Sequence, residues 1–229
     1  MIELPWLKKR AWKQAQKKEF EWWHGVAMNG YAEQSPREFI SIGQRNWMLK
    51  QLRYLDKPVS YWKDKVVVEF GPGPAGIVEY IDAKRKFAIE PLYYHYHDSF
   101  PHLKNSDVAY IAQPAEEAFQ VETNISDLTI CFNVLDHVYS PKKVVNNVSR
   151  VAKPGCDILF QVNVFKNLKL AQASKSGLHA ELHPHSFTKK SALELLESSG
   201  MELLKYQISD DTNPEGEHFL LVHLQYPKN

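Results

Sequence analysis

The residues with the most chemistry to offer sit close together near the middle of the first half of the chain. Glu69 closes a β-branched run, Gly71, Gly73 and Gly76 follow in a turn with Pro72 and Pro74, and Glu90 comes nineteen residues after Gly71. Glycines at this spacing let the backbone approach a ligand closely, because no Cβ stands in the way. Carboxylates flanking such a turn suit hydroxyl donors or a cationic group, and they repel a phosphate. A second set lies farther along: Asp136 and His137 leave another apolar run, and His183 and His185 precede a helical pattern. Histidine titrates near neutral pH, so His137 is the candidate base for taking a proton from a nucleophile, with His183 and His185 as further candidates.

These residues need elements to position them. Val66, Val67 and Val68 form the kind of run that a strand buried on both faces carries. From Ala75 the apolar residues Ile77, Val78 and Ile81 recur at helical spacing, and Lys86–Ile89 reads as a second strand that delivers Glu90. Strand, glycine turn, helix, strand and acid together form a unit for holding a nucleoside beside a helix N-terminus. The turn literally matches the dinucleotide pattern G-x-G-x-x-G. Glu69 argues against that use, since it would face an incoming pyrophosphate.

VVVEFGPGPAG resembles the first motif of the class I S-adenosylmethionine-dependent methyltransferases, a hydrophobic strand ending in acid-x-Gly-x-Gly. The likeness continues. QPAEEAF is similar to the family's segment after the third strand, with Pro114 where an acid is usual. NVLDHV and its continuation to Gly155 resemble N-V-L-x-H-V…R-V-x-K-P-G, with Cys156 in place of a second glycine. AELHPHSFTKKSALELLESSGMELL resembles the family's late turn, helix and strand. The resemblance implies S-adenosylmethionine as cofactor and S-adenosylhomocysteine as product. It implies that Glu69, Phe70, Gly71, Pro72 and Gly73 pass under the cofactor's methionyl part, and that Glu90 and Pro91 meet its ribose. Gln113, Ala115 and Glu116 would flank the adenine, and Asn133, Val134 and Leu135 would meet the amino-acid end.

The implied fold is α/β, a Rossmann-like seven-stranded mixed sheet, with an N-terminal helical cap over residues 1–60 and the cofactor-binding domain over 61–229. In the cap, Leu7–Trp23 reads as one helix and Pro36 to about Tyr54 as a second, joined by the loop HGVAMNGYAEQS, and all six tryptophans fall before residue 65. Strands are expected at Asp107–Ala112, Leu128–Phe132, after Gly155, at Met201–Ile208 and at His218–Gln225, with helices at Pro141–Ala152 and before Gly200. Asp136 is a candidate cap for the first of those helices, and Ser186 or Thr188 for the second.

Composition narrows the partners. A net charge of +1 gives no electrostatic case for nucleic acid. No apolar run approaches the ~20 residues that a membrane span needs, and the N-terminal residues lack the apolar centre of an export signal. Cys131 and Cys156 follow no metal or disulfide spacing and read as free thiols in a reducing, cytoplasmic setting. His95, His97, Asp98 and His102 show no metal-site spacing either, so no metal is expected. The expected acceptor is a small molecule with an apolar or ring-shaped face. Two rival functions are weighed: a nicotinamide-dependent oxidoreductase, and a non-catalytic relative that serves as a scaffold.

Overall fold

The structure, a computed structural model, describes residues 5–30, 35, 38–167, 169–170, 182–212 and 216–228. Val66–Phe70 (β1) is buried along its whole length and pairs in parallel with Arg85–Ile89 (β2) on one side. On the other side it pairs in parallel with Ser126–Phe132 (β4). Ala109–Ile111 (β3) extends the sheet beyond β2, and Ala152–Phe165 (β5) extends it beyond β4. Phe187–Thr188 (β6) adds a two-residue pairing to β5. Glu202–Thr212 (β7) and Glu217–Gln225 (β8) close the far edge as an antiparallel pair. The order is β3-β2-β1-β4-β5-β8-β7, with β6 off that path. The expected seven-strand mixed sheet is therefore present, with one short strand added. The chain runs outward in opposite directions from β1 and β4, so their C-terminal ends open a crevice where sheets of this kind place ligands.

Alternation along β1 sends its side chains to two separate cores. Val68 and Phe70 join a cluster with Val144, Val145 and Val148 of helix Pro141–Val151 and Leu196 of helix Lys189–Glu197. Val67 joins the opposite cluster with Leu52, Trp62, Ile77 and Val78. Each fully buried valine contributes about 1.5–3 kcal/mol through the water it no longer orders. Thr188 caps the second of those helices through Ser191, as expected. Ser140, not Asp136, occupies the N-cap position of the first.

Two sequence expectations are corrected. The helix expected from Ala75 does not form: Gly73–Ala75 and Ile77–Tyr80 are single 3-10 turns, separated by Gly76 at φ −59° and ψ 147°. Pro72 and Pro74 have no N–H to donate, and Ile77, Val78 and Ile81 are needed to cover one face of β1, where they are at most 1% exposed. The apolar spacing thus reflects burial under the sheet and not a helix. Helix dipole therefore contributes little at the glycine turn.

The first helix, α1, runs Pro5–Asn29, well past Trp23. Its buried face continues from Trp12 and Ala15 to Val26, and it stops where Gly30 takes φ +80°. Ser35 and Glu38 then exchange hydrogen bonds as a capping box. Pro36 itself lies outside the described residues. The expected second helix begins as a π-helical turn, Glu38–Gln44, and continues as α2, Arg45–Leu52. After β2 comes α3, Tyr93–Ser99, which packs with α1 in a third cluster built on Val26, Ile40, Leu92 and Tyr96.

Candidate functional site

A cavity of about 500 Å³ lies over the C-terminal ends of β1, β2 and β4, roofed by α1 and by residues 39–48. Its floor is the glycine turn. Glu69 is 1% exposed, and its carboxylate accepts the N–H of Ile77 (3.3 Å) and of Val78 (2.8 Å). Burial pushes its acid up to about 8. Glu69 therefore lines the cavity and also holds the turn closed. Glu90 acts in a similar way: it accepts the N–H of Gly73 (3.0 Å) and of Leu92 (2.9 Å), and burial pushes it up to about 7. The two carboxylates take up N–H groups of the turn region. His102 donates to the Pro74 carbonyl at 2.6 Å and braces the same turn from outside.

Gly71 and Gly73 both take positive φ, +62° and +58°, but their surroundings differ. A Cβ on Gly71 would lie 2.5 Å from Cγ2 of Val134, whereas one on Gly73 would enter the cavity and meet only the Trp23 indole, at 3.9 Å. Gly73 is thus the position where absence of a side chain keeps space for a ligand.

The segment after β3 is fastened by Arg150, which donates to the carbonyls of Ala118 (2.6 Å) and Val121 (2.7 Å), and by Asn147, which donates to the Ala115 carbonyl (2.9 Å). Glu116 accepts the N–H of Tyr139 and Ser140 through Oε1, while its Oε2 is buried without a hydrogen-bond partner among the described residues. Gln113 does not line the cavity and Glu116 does; Gln113 Oε1 is likewise buried without a hydrogen-bond partner among the described residues.

At the end of β4, Asn133 adopts φ +54°, and its Oδ1 accepts from Asn163 at 2.6 Å. Gln161 donates to Asn163, and Asn163 also reaches Asp136 at 3.3 Å. His137 lines the cavity. Its Nδ1 lies 3.6 Å from Glu19 of α1, while Nε2 is buried, 4.0 Å from Asp136. His183 packs edge-on against His137 with ring centroids 4.2 Å apart. Asp136, His137 and His183 therefore form one group, and among the described residues it is the one set of three His, Cys, Asp or Glu whose ligand atoms lie within 4.8 Å of one another. No such cluster forms among His95, His97, Asp98 and His102.

Of the residues singled out from the sequence, Glu69, Gly71, Pro72, Gly73, Glu90, Pro91, Ala115, Glu116, Asn133, Val134 and His137 line one cavity. Phe70, Gln113, Leu135, His183 and His185 do not. Phe70 and Leu135 are core residues, and the His185 N–H donates to the Asp136 carbonyl at 3.4 Å. Sequence reasoning missed Glu19, Phe39, Trp47, Phe132, Gln161 and Phe219. For Gln161 and Asn163 a signal existed: two amides spaced by two residues in an otherwise apolar strand share one face.

The cavity fits S-adenosylmethionine on its own terms. It offers an unobstructed glycine, an acid at the end of β2 beside it, and an unsatisfied buried carboxylate oxygen for an amino donor. Among the described residues no helix is long and apolar enough to cross a membrane.

A family model described as a methyltransferase domain matches residues 31–206. A stretch of 54 residues is 35% identical to the ubiquinone biosynthesis O-methyltransferase of Pseudoalteromonas translucida, covering 24% of this chain and 23% of that protein. Among solved structures, the N-methyltransferase NodS of Bradyrhizobium japonicum in complex with S-adenosylhomocysteine superposes at a TM-score of 0.61 with 14% identity, over 90% of this chain and 98% of that one. A SAM-dependent methyltransferase from Methanosarcina mazei superposes at 0.58 with 15% identity, over 76% and 99%. At such identities these two likenesses speak for the fold.

Proposed function

The chain belongs to the methyltransferase-domain family, and from that premise we propose that it carries a methyl group from S-adenosylmethionine to a small acceptor seated under α1. The observation that carries the proposal is the Gly73–Glu90 pair: an open glycine whose N–H is held by an acid buried beside the same cavity. Gly71–Gly73, Glu90, Glu116 and Asn133–Val134 are the residues that would hold the cofactor. Once bound, it supplies an electrophilic methyl group on a good leaving group. The protein's own contribution is then alignment and exclusion of water, which can account for up to ~7–11 kcal/mol of a barrier. The roof of α1 and residues 39–48 provides both, and His137 Nδ1 faces the cavity to receive a proton.

The acceptor is small because a cavity of about 500 Å³ must hold it together with the cofactor. A net charge of +1 supports neither a nucleic-acid nor an acidic-surface partner. Cys131 and Cys156 are buried and unpaired, and burial raises both thiols, which suits a reducing cytoplasm. The helices before residue 61 act as the cap.

Glu69 and Glu90 keep their protons to higher pH in the folded chain than in the unfolded one. The unliganded fold therefore loses stability as pH rises from about 4.5 towards about 8, the window between their unfolded and folded values. Ribose hydroxyls favour the ionised form of Glu90, so binding releases a proton. S-Adenosylhomocysteine affinity is expected to climb as pH rises through about 7. Glu90→Gln should flatten that climb and weaken binding by ~10–100-fold at pH 8, the loss of a charge-assisted acceptor worth ~1.5–3 kcal/mol. Calorimetry across pH for both proteins checks this; an equally steep climb in the variant would detach Glu90 from the ribose.

A further inference from the structure

We infer that the acceptor is a flat amine that binds as its ammonium ion, held by Glu19 against the indoles of α1 and α2, and that anionic acceptors are refused. This rests on the methyltransferase reading and names the substrate class of the same site. Four carboxylates line the cavity, Glu19, Glu69, Glu90 and Glu116, and no described lining residue is lysine or arginine. Three of the four are committed to backbone N–H groups: Glu69 to Ile77 and Val78, Glu90 to Gly73 and Leu92, Glu116 to Tyr139 and Ser140. These three edge the turns around the cofactor end.

Glu19 is different. It comes from the roof, accepts only a side-chain N–H, that of the Trp23 indole at 3.0 Å, and faces His137 Nδ1 across 3.6 Å. Trp12, Trp23 and Trp47 line the same cavity. Aromatic faces attract cations, most strongly for tryptophan. The chain's own cations lie over Tyr54, Tyr61, Trp62, Tyr80, Phe87, Tyr139 and Tyr206 among the described residues, and none of these lines the cavity. A carboxylate whose partners are one indole N–H and one histidine, in a cavity whose described lining holds no lysine or arginine, recognises an ammonium. A carboxylate or phosphate on the acceptor would instead meet the like charge of Glu19, with no lysine or arginine in the described lining to offset it.

The test uses three probes of one shape: 2-phenylethylamine, 2-phenylethanol and phenylacetate, titrated by calorimetry into protein saturated with S-adenosylhomocysteine. The amine is expected to bind at least tenfold tighter than the alcohol, and phenylacetate at least a hundredfold weaker than the amine. Glu19→Gln should bring amine and alcohol within threefold of each other, and Glu19→Asp should keep the preference. S-Adenosylhomocysteine should bind all three proteins alike. Phenylacetate binding as tightly as the amine, binding of none of the probes, or a preference that survives Glu19→Gln would overturn the inference while leaving the cofactor site standing. Loss of S-adenosylhomocysteine binding in Glu19→Gln would also overturn it, by giving that acid to the cofactor. Wild-type protein that binds no S-adenosylhomocysteine would overturn the methyltransferase reading beneath it.

Discussion

His137→Ala is expected to lower turnover by about 10²–10⁴ while changing S-adenosylhomocysteine affinity by no more than a few-fold. A bound ammonium has no lone pair, so one proton must leave nitrogen before it can attack, and the proton needs a receiver in the cavity. His137 Nδ1 faces Glu19 at 3.6 Å on the cavity side, and its ring is held from behind by His183. The alanine variant keeps Glu19, the indole wall and the glycine turn, so binding survives and proton removal does not. Methyl transfer to an accepted amine, compared between wild type and variant across pH, checks this. A variant with full turnover would take His137 out of the proton's path.

Gly73→Val is expected to cut S-adenosylhomocysteine affinity at least a hundredfold, or ~2.7 kcal/mol, in a protein that still folds. At φ +58° a side chain costs about 1–2 kcal/mol of backbone strain, which a domain of this size absorbs. A Cβ at this position is in ordinary contact with the Trp23 indole at 3.9 Å, and the side chain takes up ligand space. Gly76→Val provides the contrast: its Cβ would lie 2.3 Å from Cβ of Pro72, so that substitution should lower the melting point. Calorimetry together with melting separates the two. Undiminished affinity in Gly73→Val would remove the turn from the cofactor site.

Much of this was legible because it is local. The valine run, the turn glycines and Glu90 lie within one strand–turn–strand unit, where each residue's role follows from its neighbours in sequence. The mixed sheet was implied by the family resemblance, and its two closing strands were legible on either side of a turn-rich segment. The failures have one physical cause. Ile77, Val78 and Ile81 keep helical spacing because tertiary burial selects apolar residues there, while two prolines and the bonds to Glu69 decide the backbone. At the end of α1, the stretch from His24 read as a loop, but the buried face reaching Val26 carries the helix on to Asn29. The roof of the cavity was hidden for a different reason. Glu19 and Trp23 were visible as one face of a helix, but nothing local says that this face meets His137, more than a hundred residues later. Phe132 and Phe219 likewise become site residues only once the sheet has brought β4 and β8 close to α2.

The central claim, a cofactor site for a sulfur nucleoside and not for a nicotinamide, is tested most directly by melting the purified protein with S-adenosylmethionine, S-adenosylhomocysteine, NADH and NADPH in parallel. At a hundred times its dissociation constant a ligand stabilises the native state by ~2.7 kcal/mol. At ~2–4 °C per kcal/mol for a chain of this length, that is a shift of about 5–10 °C. The two sulfur nucleosides are expected to give that shift and the nicotinamides none. A shift with NADH alone, or no shift with any of the four, would contradict the account.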